Sequence, residues 1–325
     1  MPPVVLPEFG IKNSAMQLKR YAFTSDALRE RELQWWATFG ADEERYFWGL
    51  TDSWQPPARV RYIDRMAAYL ADCQHVVDYG CGSGWMTRGV ADRMQRPVTG
   101  IDFSPEQIAL AAQANADCPW TLFMAITGVE QLPPAQGYVF HGVMHHLSQH
   151  EIHHLLERLS RLAPRGARMV FVEPVCYPGN KPDERDRVLL DAIEEIVTEP
   201  WRVAREQGVA LVPSVQAARQ RQDERWWGAA PHGPSPMEKP FEGRELDDLL
   251  SSYFDTQPGE SVQYLPASQG LASELALLRD CNADLADTLA TQLMPQVDAL
   301  ERVLMRMPRL PDSGWFLRMV QARVR

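Results

Sequence analysis

Two carboxylates and three glycines at short, fixed intervals are the residues of this chain best placed to hold a ligand. Val76-Val77-Asp78-Tyr79-Gly80-Cys81-Gly82-Ser83-Gly84 runs an apolar strand into an acid and then sets glycine at alternate positions. Glycine adopts positive φ and has no side chain to obstruct a ligand, so backbone N–H groups there approach one closely. Val98-Thr99-Gly100-Ile101-Asp102 is a second short strand ending in an acid. It follows at about the 20-residue interval at which nucleotide folds place a carboxylate on a ribose. The third group is histidine: His141, His145, His146, His150, His153 and His154 crowd one stretch of the chain. Near neutral pH a histidine serves as a general base or as a metal ligand.

The elements that must position these groups alternate between strand and helix. Val60, Ile63, Ala67 and Leu70 form one stripe of a helix that feeds the first strand. Ser104-Pro105-Glu106-Gln107 and Ser148-Gln149-His150-Glu151 both read as capped helix starts. Ile152, Leu155, Leu156, Leu159 and Leu162 give the second of these a buried face. Ala163-Pro164-Arg165-Gly166 ends it, and Met169-Val170-Phe171-Val172 is the next central strand. Such alternation predicts an α/β fold with a doubly wound, mostly parallel sheet. Its ligands lie in the crevice beyond the carboxyl ends of the strands. With Ile152 at the centre of the buried face, His150, His153 and His154 project from the opposite side. They do not converge with the others, and no metal site is expected.

A dinucleotide-binding turn needs Gly-x-Gly-x-x-Gly, but its third glycine falls on Trp85 or Thr87 here. Asp-x-Gly-x-Gly-x-Gly with a second acid-ended strand instead resembles the class I S-adenosylmethionine-dependent methyltransferases. The resemblance spans about residues 60–178. It continues through Leu132-Pro133, the strand Tyr138–Val143 followed by Met144-His145-His146-Leu147, and Gly166-Ala167-Arg168 through Glu173-Pro174. It implies a Rossmann-like sheet of seven strands with an antiparallel edge, and S-adenosyl-L-methionine as cofactor.

By that resemblance Asp78 orients the glycine turn and holds the cofactor's amino-acid end. Gly80, Cys81, Gly82 and Gly84 line its methionine portion, where a Cβ would collide. Asp102 accepts from the ribose hydroxyls, and Phe103, Gly128 and Val129, with Ile126, border the adenine. Relatives often carry an acid for the adenine amino group where this chain has Gly128, and many have Asp where it has Gly137. His145, His146 and His141 border the transferred methyl and are the candidate general bases, with Glu173 a further crevice candidate. A structural role, capping the loop for Asp78 or satisfying loop backbone for a histidine, stands beside each of these.

The chain has 325 residues, 45% hydrophobic and 23% charged, with a formal net charge of −10. No overall basic field draws nucleic acid in. Five dispersed cysteines without a CxxC pair argue against zinc or a disulfide framework and favour a reducing, cytoplasmic setting. No signal peptide or membrane-spanning run is expected. Four parts are read: a helical extension with two or three helices (1–58), the cofactor-binding core (59–178), a helical lid (179–240) and the remainder of the core sheet (241–325). In the last, a strand at 261–265 precedes helices at about 268–293 and 295–306 and a terminal strand at 315–320. Trp226-Trp227 and the leading aromatics, Tyr21 and Phe23 among them, are candidate substrate walls or core. The expected function is transfer of a methyl group to a small-molecule acceptor, at oxygen first. Nitrogen, carbon, a lipid, glycan or protein acceptor, and a non-methylating S-adenosylmethionine-binding protein are the alternatives. A homodimer is left open.

Overall fold

The computed structural model describes residues 24–51, 53–222 and 235–325. Tyr21, Phe23, Trp226 and Trp227 lie outside them. Five parallel strands form the centre: β1 (Val76–Tyr79), β2 (Val98–Asp102), β3 (Thr121–Ala125), β4 (Gly137–His141) and β5 (Arg168–Cys176). They stand in the order β3-β2-β1-β4-β5. β1, β4 and most of β5 are buried throughout and mostly apolar, as strands covered on both faces must be, with Asp78, His141 and Glu173 the polar exceptions. The order reverses between β1 and β4, so a crevice opens at their carboxyl ends.

Among the described residues the sheet has nine strands rather than seven. The two extra are two-residue pieces: β6 (Phe241–Glu242) extends β5, and β7 (Asp255–Thr256) borders the last strand. β8 (Glu260–Tyr264) runs antiparallel to β9 (Phe316–Arg323), as the resemblance implied. β9 is not itself the edge, because it inserts between β5 on one side and β7 and β8 on the other.

Helices α3 (Pro57–Leu70), α4 (Trp85–Met94), α5 (Pro105–Ala114) and α6 (Gln149–Leu162) cover the sheet. α6 starts at a capping box in which Ser148 and Glu151 exchange bonds between side chain and backbone. Its Leu155, Leu156 and Leu159 are fully buried, each worth about 1.5–3 kcal/mol. Helices α1 (Asp26–Thr38) and α2 (Ala41–Trp48) precede the core. Arg29 of α1 pairs with Glu151, and the Thr24 hydroxyl donates to the same carboxylate at 2.6 Å. This docks α1 beside the start of α6.

The stretch expected as a lid divides. Its long helix α7 (Glu184–Glu206) packs on α10 (Gly270–Cys281) and α11 (Ala283–Met305), away from the crevice. α8 (Pro213–Gln222) packs on α10, and α9 (Glu245–Ser251) follows β6. Only the segment after Ser235 reaches the crevice among the described residues. The break between the last two long helices falls at Asn282, not at Pro295. The Asn282 side chain accepts from the Leu285 N–H and so starts α11, while Pro295 is carried inside that helix.

Candidate active site

The turn after β1 is held from two sides. Gly80 N–H and Cys81 N–H both donate to the Ile101 carbonyl, at 2.8 and 3.0 Å. Gly82 N–H donates to Asp102 Oδ2 at 3.0 Å, and Ser104 N–H to Asp102 Oδ1 at 2.9 Å. Asp102 thus ties the two strand ends together, and its carboxylate retains acceptor sites beyond these two. Ser104 supplies the cap of α5, accepting from Gln107 N–H. Asp78 lies behind the turn, 2% exposed, and accepts from the Thr87 hydroxyl at 2.6 Å. Burial raises its carboxyl to about 7 against that bond, with the charge of Asp102 adding to the rise. Burial raises Asp102 as well, although its backbone N–H donors oppose it. No cation is ion-paired with either acid among the described residues.

The glycines answer to packing more than was expected. Gly80 (φ +71°) has no room for a Cβ, which would fall 2.3 Å from Val143 Cγ2. At Gly84 (φ +81°) a Cβ would fall 2.6 Å from the Phe123 ring. At both positions protein atoms by themselves exclude a side chain, and L side chains avoid positive φ in any case. Cys81 is buried, its Sγ against Gly100. Phe103 is half-buried, edge-on to Tyr79 at 5.9 Å and beneath Arg29. Gly128 is extended with open space around it, and Val129 begins a single 3₁₀ turn. Among the described residues the buried Tyr79 hydroxyl has no hydrogen-bond partner.

The contact between Gly80 and Val143 brings the cofactor turn against the histidine turn. Gly142 follows β4 with φ +64°, and Met144–His146 form one 3₁₀ turn. Glu173 of β5, fully buried, organises it. Its Oε1 accepts from Val143 and Met144 N–H at 3.0 and 2.9 Å. Its Oε2 accepts from His145 N–H at 3.3 Å and meets His145 Nδ1 at 2.9 Å. Burial raises the Glu173 carboxyl to about 7 despite those N–H donors.

The three candidate histidines differ. His146 Nδ1 meets Ser235 Oγ at 2.7 Å and Glu32 Oε1 at 3.1 Å. Burial alone would lower it, but the bond to Glu32 and the Glu32 charge outweigh burial and raise it. Glu32, 3% exposed, is lowered reciprocally, the His146 and Trp36 bonds overcoming its burial. His141 is buried at the end of β4, its Nε2 3.2 Å from the Tyr62 hydroxyl. Burial, then the charge of Arg59, pull it down to about 3, so it is neutral. His150, His153 and His154 are exposed. Among the described residues, no three His, Cys, Asp or Glu side chains converge as metal ligands.

Residues 76–166 match the family model described as a methyltransferase domain. By that match this stretch is a methyltransferase domain. No curated protein sequence matches it significantly. Among solved structures, it resembles the cyclopropane synthase MmaA2 from Mycobacterium tuberculosis, with 14% identity and a TM-score of 0.53 over 90% of this chain and 97% of that one. It also resembles phosphoethanolamine N-methyltransferase 2 of Haemonchus contortus, solved with S-adenosyl-L-methionine, with 13% identity and a TM-score of 0.52. That match covers 93% of this chain and 60% of the other. At such identities the likeness speaks for the fold.

The crevice fits S-adenosylmethionine. Among the described residues two acids without an ion-paired cation, Asp78 buried and Asp102 half-buried, flank the glycine turn, and the cofactor brings an ammonium and a sulfonium. Sequence reasoning missed Glu32, Ser235 and the unpaired Tyr79 hydroxyl. Glu32 and Ser235 sit in charged or irregular stretches with no motif, and only the tertiary fold carries them to His146.

Proposed function

We propose that this methyltransferase acts on a small molecule at an oxygen nucleophile, with His145 as general base. The observation that carries the reading is the His145–Glu173 pair on a turn in contact with the cofactor turn. An Nδ1–H donated to Glu173 puts the imidazole lone pair on Nε2, and a carboxylate behind an imidazole stabilises the cation formed when Nε2 takes a proton. Glu173 also fixes the ring's backbone through three N–H groups, so base and turn move as one body. His146, which Glu32 shifts toward its charged form, is a poorer base, and His141, strongly depressed by burial, is poorer still. Both suit a positioning role.

Asp78, the turn Gly80–Gly84 and Asp102 are proposed to hold the cofactor, with Phe103, Gly128 and Val129 along its adenine. Bound there, S-adenosylmethionine supplies a methyl group already activated for displacement. What remains for the chain is to align the acceptor, remove its proton and exclude water. The acidic balance of the chain favours a small acceptor over nucleic acid. Among the described residues no helix is long and apolar enough to cross a membrane.

The test is His145→Gln, assayed on an acceptor found by mass-spectrometric search for methylated products in extracts of the source organism. Turnover should fall about 10²–10⁴-fold while calorimetric affinity for S-adenosylhomocysteine stays unchanged. Full turnover in the variant would sink the base assignment and favour an acceptor that needs no deprotonation.

A further inference from the structure

Arg59, in the first turn of α3, is 1% exposed. Its Nη2 donates to the Trp48 carbonyl and to Gln269 Oε1, the latter at 2.7 Å, but its Nε finds no partner. Burial lowers the guanidinium only to about 10, so it remains charged at neutral pH. Among the described residues no carboxylate is ion-paired with it. What surrounds it is uncharged: the Trp85 ring 5.0 Å away, Tyr62, whose hydroxyl burial keeps protonated, the Trp48 carbonyl and the Gln269 amide. His141 is close enough to feel the Arg59 charge and is itself neutral. Removing a cation from water without a counter-charge costs several kcal/mol, and neutral acceptors recover only part of it.

The rings around it pack as an aromatic cluster. His141 stacks on Tyr62 at 5.7 Å and lies 5.5 Å from Trp48 and 5.1 Å from Trp85. Trp48 and Trp85 are half-buried, so they form its outer face. Trp85 opens α4 directly after the glycine turn, and His141 directly precedes the turn that carries His145. The cluster therefore borders both halves of the crevice.

We propose that Arg59 anchors the methyl acceptor, and that the acceptor is a monocarboxylate on a flat, apolar body. This rests on the reading that the acceptor lies beyond β4. A guanidinium edge matches a carboxylate in shape and charge, and the rings suit a flat apolar body. A phosphate dianion would ask for a second cation, and the other groups packed on Arg59 bear no charge.

The experiment is calorimetry on the full protein loaded with S-adenosylhomocysteine, using cinnamate and naphthoate, their carboxamides, and inorganic phosphate as probes. At least one carboxylate should bind about ten- to a hundredfold more tightly than its carboxamide, the scale of a charged hydrogen bond. Arg59→Met should abolish that preference, and Arg59→Lys should keep part of it. His145→Gln should leave it intact, so failure of the base assignment and failure of the anchor give different results. Equal affinity for acid and amide, no binding by either carboxylate, tighter binding of phosphate, or a preference that survives Arg59→Met would each overturn the proposal. Should Arg59→Met not fold, the acid–amide pairs on the wild-type protein decide alone.

Discussion

The half of the crevice proposed for the cofactor and the half proposed for the acceptor are built on opposite plans. In the first, Asp78, the glycine turn and Asp102 come from two neighbouring parallel strands, and a few backbone bonds between them fix the geometry. In the second, Glu32, Arg59, His141 with His145, Glu173 and Ser235 come from five separate stretches, and buried polar side chains join most of them. On the proposed assignment, a ligand shared by many enzymes would be held by local geometry, and a particular acceptor by groups that only the whole fold assembles. The acceptor half should therefore depend more on single side chains.

The sharpest challenge to that contrast is Glu173→Ala. It strands the N–H groups of Val143, Met144 and His145, and should cost about 3–5 kcal/mol, read from the urea unfolding midpoint. A loss below about 1 kcal/mol would mean that the turn holds itself.

Asp78 tests the other half through pH. Its folded-state value of about 7 lies above the ordinary 3.8, so the fold favours the protonated form. The stability this confers is full below about pH 4 and lost as pH rises through about 7. Glu173 and Glu301, also raised to about 7, add the same slope. Asp78→Asn should flatten the decline between about pH 5 and 7 by roughly 2–3 kcal/mol, measured by unfolding without cofactor. A variant that follows the wild-type curve would show Asp78 ionised throughout.

Smaller again, Asp102→Ala should weaken cofactor binding by about 1.5–2 kcal/mol with the fold retained, by calorimetry. Unchanged affinity would place the ribose elsewhere. The smallest effect belongs to Gly128→Asp. Its backbone is extended and its surroundings open, so the fold should not change. By restoring the acid relatives use for the adenine amino group, the variant should tighten binding by about 0.5–1 kcal/mol. Weaker binding would move the adenine away from this turn.

Legibility in the sequence follows the same division. The strand run Val76–Tyr79, the glycine turn and the Asp102 strand end were readable because their order is local, and the helix cap at Ser104 and the capping box at Ser148 for the same reason. Pro295 misled because a proline inside a long, well-packed helix costs less than breaking it, and Asn282 supplied the better cap. The glycines were read for their ligand, yet Val143 and Phe123 are what exclude a side chain, and tertiary neighbours leave no mark on a local pattern. Nothing near Glu32 or Arg59 in the sequence marks them as buried and functional. Each looks like one more charge on a helix face, which is solvated far more often than not.

The position of β9 has a consequence for how the protein comes into being. Its Arg318 lies opposite Glu173 in the antiparallel register with β5, so one flank of the acid that anchors the histidine turn stays unpaired until Phe316–Arg323 has been synthesised. On the ribosome, the strands that hold the cofactor are complete long before the one that closes β5. A nascent chain should thus acquire affinity for S-adenosylhomocysteine early and its catalytic turn late, leaving an exposed strand edge in the interval for a chaperone to shield.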